Sequence, residues 1–154
     1  MNSICLTHSI YSKIFLHLLH NFRIEYGASN MSSKVGQIKQ ILQLLEINTP
    51  GIEASAIVSL QGLPIVSAMP AGVNDDVVAA MTAAVLSVGE KALQELQKGK
   101  LVKILIEGEK GYIIMTTVGQ NAILTVLAKH SSNLGLIFLT MKQTAQKIAA
   151  LLTD

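Results

Sequence analysis

Apolar residues recur along this chain with two periods, and the switches between them divide it into elements. After Ser33, Val35, Ile38, Leu42 and Leu45 fall three or four apart, with Ile41 and Leu44 alongside, which predicts a helix. Asn48-Thr49-Pro50-Gly51 ends it, because proline cannot extend the hydrogen-bond ladder and glycine turns easily. Two extended runs, IEASAIVSL and LPIVSAM, flank Gln61-Gly62 and read as a hairpin, with Pro64 suited to a strand start or an edge. From Gly72 to Gly99 the helical period returns for about seven turns. Asn74 is a good N-cap there, Asp75 and Asp76 complement the helix dipole, and Gly99 is the expected stop. Three strand-like runs follow, LVKILIE, GYIIMTTV and AILTVLA, separated by GEK and GQN turns. The last two are apolar on both faces, as strands covered on both sides should be. Asn133 caps a final helix whose stripe is Leu134, Phe138, Met141, Ala145, Ile148 and Leu152, with Lys142, Gln143, Gln146 and Lys147 facing water. The order is helix-β-β-helix-β-β-β-helix, an α+β fold with a five-stranded antiparallel sheet between helix layers.

The long helix has no wet face in its first half. Val78, Met81, Val85, Val88, Ala92 and Leu96 are the stripe expected to lie on the sheet. Behind them stand Val77, Ala80, Ala84 and Ser87, with Ala79 and Ala83 beside; polar cover begins only at Glu90. A helix apolar all round is buried on more than one side, so this one is read as both core and subunit interface.

Composition agrees with a covered surface. Of 154 residues, 50% are hydrophobic and only 14% charged, which is apolar for a soluble domain. No apolar run approaches the roughly 20 residues of a membrane-spanning helix. A net charge of +2, with scattered lysines, argues against nucleic acid. The one cysteine, Cys5, allows no internal disulfide and no cysteine pair for zinc, so a reducing cytoplasm is expected.

Residues 1–33 stand apart from the domain expected over 34–152. They hold three of the four histidines and the one arginine, Arg23, and Tyr11, Ile14, Phe15, Leu18 and Phe22 would share a helical face. A secretory signal fits poorly, since His17 and His20 interrupt the apolar part. The segment reads either as an amphipathic helix that docks on a partner or a membrane, or as an over-extended start before Met31.

Catalytic chemistry is not expected. His17 and His20 lack the further ligands of a tetrahedral metal site, and His130 stands alone in a loop. Gly108-Glu109-Lys110-Gly111 is a turn rather than a phosphate loop, because it leads into a strand. Adjacent helix residues such as Asp75 and Asp76 point in different directions, and Ser59, Ser67 and Ser87 have no evident histidine-acid partner. Neither a cofactor nor a metal is implied.

Four stretches in this order, IVSLQGLPIVSAMP, GVNDDVVAAMTAAVLSVGEKALQEL, LIEGEKGYIIM and NLGLIFLTMKQTA, resemble the roadblock/LC7 family, most closely its bacterial and archaeal regulators of Ras-like small GTPases. The resemblance implies a homodimer, or a heterodimer with a sibling roadblock protein. Its protomers join through the third strand into one continuous sheet, with their second helices side by side. On this chain that places Leu101, Val102, Lys103, Ile104, Leu105, Ile106 and Glu107 at the sheet junction and Ala80, Ala84 and Ser87 between helices. Pairing identical edges would remove an aggregation-prone one. The expected function is a non-catalytic regulator or scaffold for a Ras-like GTPase, with Pro70, Asn74, Asp75, Asp76, Val77, Leu86 and Leu93 as candidate contacts. The alternatives are a structural adaptor without nucleotide sensing, or a small-molecule site in a pocket of the sheet. Any membrane contact is assigned to the N-terminal extension. Because Arg23 lies outside the family-like region, an arginine finger is not expected.

Overall fold

The structure, a computed structural model, describes residues 33–153, and Val35–Asp154 form one compact unit. The expectations for Arg23, for His8, His17 and His20 and for the helical face from Tyr11 to Phe22 fall outside the described residues.

Helix α1 spans 33–48. It is followed by β1 (Ile52–Ser59), β2 (Pro64–Ala68), α2 (Asp75–Glu95), β3 (Lys103–Gly108), β4 (Gly111–Val118), β5 (Ala122–Lys129) and α3 (Leu134–Thr153). The five strands form one antiparallel sheet in the order β2-β1-β5-β4-β3, so β2 and β3 are its edges. The fold expected from the sequence is the fold observed.

Alternation along the strands sends side chains to two different layers. Ile57, Ile114, Leu124 and Val126 meet Ile38 and Leu42 of α1 and Ile137, Met141 and Ile148 of α3 in the main core. The opposite face carries α2 over two small clusters, Ala56, Val58 and Ala79 at one end and Leu86, Met115 and Ile123 at the other. Between them the buried Thr125 hydroxyl donates to Thr82 Oγ1 at 3.3 Å, so both hydroxyls are accommodated under the helix.

The phase of α2 differs from the expected one. Ala79, Thr82 and Leu86 are its buried residues, whereas Met81, Val88, Ala92 and Leu96 face solvent. On the inward face Leu86 fills one cluster, while small residues allow close approach elsewhere. A Cβ on Gly89 would come within 2.9 Å of Ile104 Cδ1, and one on Gly62 within 3.3 Å of Ala80 Cα. The end of α2 also differs. Gln97, at φ 52, takes the left-handed position, with its N–H on Gln94 O and that of Lys98 on Leu93 O. That is the Schellman arrangement, closed two residues before Gly99.

Candidate interaction surface

At the N-terminus of α2, Asn74 Oδ1 accepts from the N–H groups of Asp76 (3.0 Å) and Val77 (3.3 Å), the N-cap that the sequence predicts. The Ser67 hydroxyl donates to the Asp75 carboxylate, tying the first turn of α2 to strand β2. Asp75 is therefore engaged within the fold, while Pro70, Asp76 and Val77 stay exposed. Leu86 is 3% exposed, packed against Met115 and Ile123, and cannot meet a partner as the sequence reading expected. Leu93 is partly buried.

The outer face of α2 is apolar and uncovered. Val77, Met81 and Val88 are 50%, 55% and 71% exposed, and Ala80, Ala84 and Ser87 stand exposed among them. Positions 77, 81, 84 and 88 follow the alternating four-and-three spacing of a helix–helix seam. Met81 and Val88 belong to this surface although the sequence reading assigned them to the sheet.

The two sheet edges are unlike. Strand β2 is five residues long and begins at Pro64, which cannot donate to a further strand. Strand β3 carries no proline and leaves Leu105 and Ile106 partly open on opposite faces of its outer edge. It begins at Lys103, so Leu101 and Val102 precede the strand, contrary to the expected start; the Thr116 hydroxyl holds Val102 O at 2.9 Å. Ile104 packs toward α2, and the Lys103 ammonium sits 3.5 Å from the centroid of the Phe138 ring on the other side.

At the far end of β3, His130 is not alone as the sequence suggested. Its Nε2 lies 3.1 Å from Glu107 Oε1, the Tyr112 hydroxyl donates to the same oxygen at 3.3 Å, and the two rings stack at 5.2 Å. The Tyr112 phenol is raised above its ordinary pKa, first by desolvation and then by the Glu107 charge and hydrogen bond. Twenty-three residues separate Glu107 from His130, and only the β3–β4–β5 register brings them together.

Among the described residues, no group of histidine, cysteine and carboxylate side chains is placed to hold a metal ion. A groove of ≈ 340 Å³ between β3, β4 and α3 is lined by Leu101, Phe138, Met141 and other residues, with Lys103 and Lys142, and by no acid or histidine. No described helix is long and apolar enough to cross a membrane.

The fold and its surface define a class: an α+β domain with one helix, α2, that carries an exposed apolar row beside an open edge strand, β3. A sequence model of the roadblock/LC7 domain matches residues 38–128, and the chain belongs to that family. Two uncharacterized proteins of Methanocaldococcus jannaschii are each 42% identical to it over 109 residues, 70% of this chain and 95% of each relative. Among solved structures, a roadblock/LC7 domain from Streptomyces avermitilis superposes with a TM-score of 0.72 at 18% identity, covering 75% of this chain and 98% of that one. Myxococcus xanthus MglB does so with a TM-score of 0.73 at 20% identity, covering 77% and 90%.

Proposed function

We propose that this chain is a non-catalytic, homodimeric regulator or scaffold of a Ras-like small GTPase, working in the cytoplasm. The observation that carries the reading is the uncovered apolar face of α2 at Val77, Met81 and Val88, on the same side of the sheet as Ile106 of the free β3 edge. Family membership and the MglB-like fold support it. Two β3 edges pair about a two-fold axis, which brings two α2 helices side by side and satisfies the open backbone groups of both edges. A sibling roadblock chain with the same edge would serve equally. The paired helices, with the Pro70–Asp76 approaches to them, then form the platform on which the GTPase docks. Leu86 takes no part, being core.

The platform brings no guanidinium, since the sequence from 24 to 154 contains no arginine. Any stimulation of hydrolysis therefore works by repositioning the GTPase's own residues rather than by an arginine finger. The test is capture of partners by the tagged full chain from its own lysate, with a GTP analogue or with GDP. A small GTPase enriched in one nucleotide state supports the proposal. Identical partners in both states, none of them a GTPase, would replace it with the adaptor reading. With the GTPase in hand, an Arg23→Ala variant is expected to stimulate hydrolysis as the parent does, and loss of stimulation would overturn the repositioning mechanism.

A further inference from the structure

Charge is divided between the two helical layers. Helix α2 carries Asp75, Asp76, Glu90 and Glu95 against Lys91, four acids to one base. Helix α3 carries Lys142 and Lys147 and no acid over its 20 residues. Helix α1 adds Lys39, and its one acid, Glu46, points to the sheet, where its Oε1 accepts from the Ser55 hydroxyl at 2.6 Å. Lys103 reaches the same layer over Phe138. Among the described residues the one ion pair is that of Glu107 with His130, and none of these lysines pairs with a described carboxylate.

The cationic layer is also greasy. Ile47, Leu44 and Leu139 are 76%, 55% and 54% exposed. Leu44 and Lys147 line the shallow groove between α1 and α3 together with the neutral polar Asn48, Thr140 and Gln143, so an apolar and a cationic side chain meet across the two helices there. A protein-binding hot spot gathers its apolar anchors in one desolvated pocket. Here they are spread over two neighbouring helices whose exposed charges are lysines. That distribution suits a lipid surface, where leucines enter at the depth of the headgroups and long lysine stems lift their ammonium groups to the phosphates.

We propose that the α1/α3 face docks on an anionic membrane surface. The sequence assigned membrane contact to the N-terminal segment alone; the folded domain offers a separate site. Because α2 and its acids lie on the opposite side of the sheet, docking through α1 and α3 turns α2 away from the lipid. The attraction orients the domain and leaves the α2 platform free. This inference does not rest on the GTPase reading and survives its failure.

The experiment is co-sedimentation of the full chain with phosphatidylcholine vesicles, with and without about one third phosphatidylserine. The chain is expected to pellet with the anionic vesicles and not with the neutral ones, and to be released by salt. Each lysine near such a surface contributes about fivefold in partitioning, so Lys142→Glu with Lys147→Glu should lower it more than about 25-fold. Leu139→Gln, which leaves the charge alone, should weaken it severalfold. Reversal of Lys91 and Lys98, at the C-terminal end of the α2 layer, makes the same change in net charge and should leave most of the binding. Retained binding in the α3 double variant would overturn the proposal and assign the contact elsewhere, the N-terminal segment included. Equal loss in the Lys91/Lys98 variant would also overturn it, as net charge alone would then explain the binding. A wild-type chain that ignores anionic vesicles would do the same. So would an α3 variant that changes the self-association of the protein without lipid, which would give the face to a second copy.

Discussion

Met81, Leu86 and Val88 lie within two turns of one helix, yet the structure requires opposite consequences from their removal. Burying a Met or Val side chain contributes about 1.5–3 kcal/mol when all of it leaves water. Met81 and Val88 still have 55% and 71% of their surface open, so about 1–2 kcal/mol remains to each if a partner covers them. A two-fold axis presents both residues twice, for about 4–8 kcal/mol in all, an upper range because neighbouring atoms share the gain. At 1.4 kcal/mol per tenfold, Met81→Ser with Val88→Ser should weaken self-association by about three to six powers of ten. Sedimentation equilibrium over a wide concentration range measures this, with circular dichroism confirming that the exposed substitutions leave the fold intact. Leu86→Ala should do the reverse, costing about 2–4 kcal/mol of folding stability through a cavity beside Met115 and Ile123 while the folded fraction still associates. If the Met81/Val88 variant associates as tightly as the parent, α2 is not the seam and the proposed platform falls with it.

Four further outcomes follow from particular contacts. Gln97→Gly should raise stability by about 1 kcal/mol, read as a higher Tm, because Gln97 holds φ 52 in the left-handed region. Gly111→Ala should lower it by about 2–3 kcal/mol, since the new Cβ would lie 2.3 Å from the Ala128 carbonyl oxygen and force β4 from β5; an unchanged denaturation midpoint would contradict that geometry. Tyr112 holds its proton more firmly in the fold than in the unfolded chain, so its contribution to stability is complete below the ordinary phenol pKa of about 10 and is lost as pH rises through the raised folded value. Phenolate absorbance of the native protein should show a titration that moves downward in Glu107→Gln. Amide exchange should be faster in α2 than in β1 and β5, because the helix lies over two small clusters whereas those strands are central.

Element order was legible because each element announces its period and its ends. Asn74, the Pro50-Gly51 break and the turns at Gly108–Gly111 and Gly119–Asn121 fall where the local chemistry places them. The phase of α2 was not legible, and the reason is physical. Periodicity fixes the inward face of a helix by contrast with a polar outward face, and residues 77–88 offer no such contrast. Steric fit marks the inward face: Ala79 and Gly89 let the helix approach β1 and Ile104, Thr82 meets Thr125, and Leu86 fills the space beside Met115 and Ile123. Ala80, Ala84 and Ser87, read as marks of a helix–helix seam, stay exposed, whereas Ala79 and Gly89 mark helix-on-sheet contact. The Glu107–Tyr112–His130 cluster was hidden for another reason, since it depends on register across three strands rather than on any local motif.

The α1/α3 side of the sheet holds one extended buried cluster, whereas the α2 side holds two clusters of three buried residues each. Most of the fold's burial is thus complete without α2. A layer held by so few contacts, and apolar on its far side, is the part of the chain with most to gain from another molecule. Under the proposed pairing, a second α2 lies against Val77, Met81 and Val88, and packing from both sides replaces a thin attachment to the sheet. Stability of α2 and occupancy of its outer face are then coupled. Whatever binds the ordered helix preferentially also stabilises it, and by the same linkage an ordered helix binds more tightly. The small side chains that bring α2 down onto the sheet and the apolar ones left facing outward are therefore two parts of one arrangement, which divides the chain into a core that folds and a layer that responds.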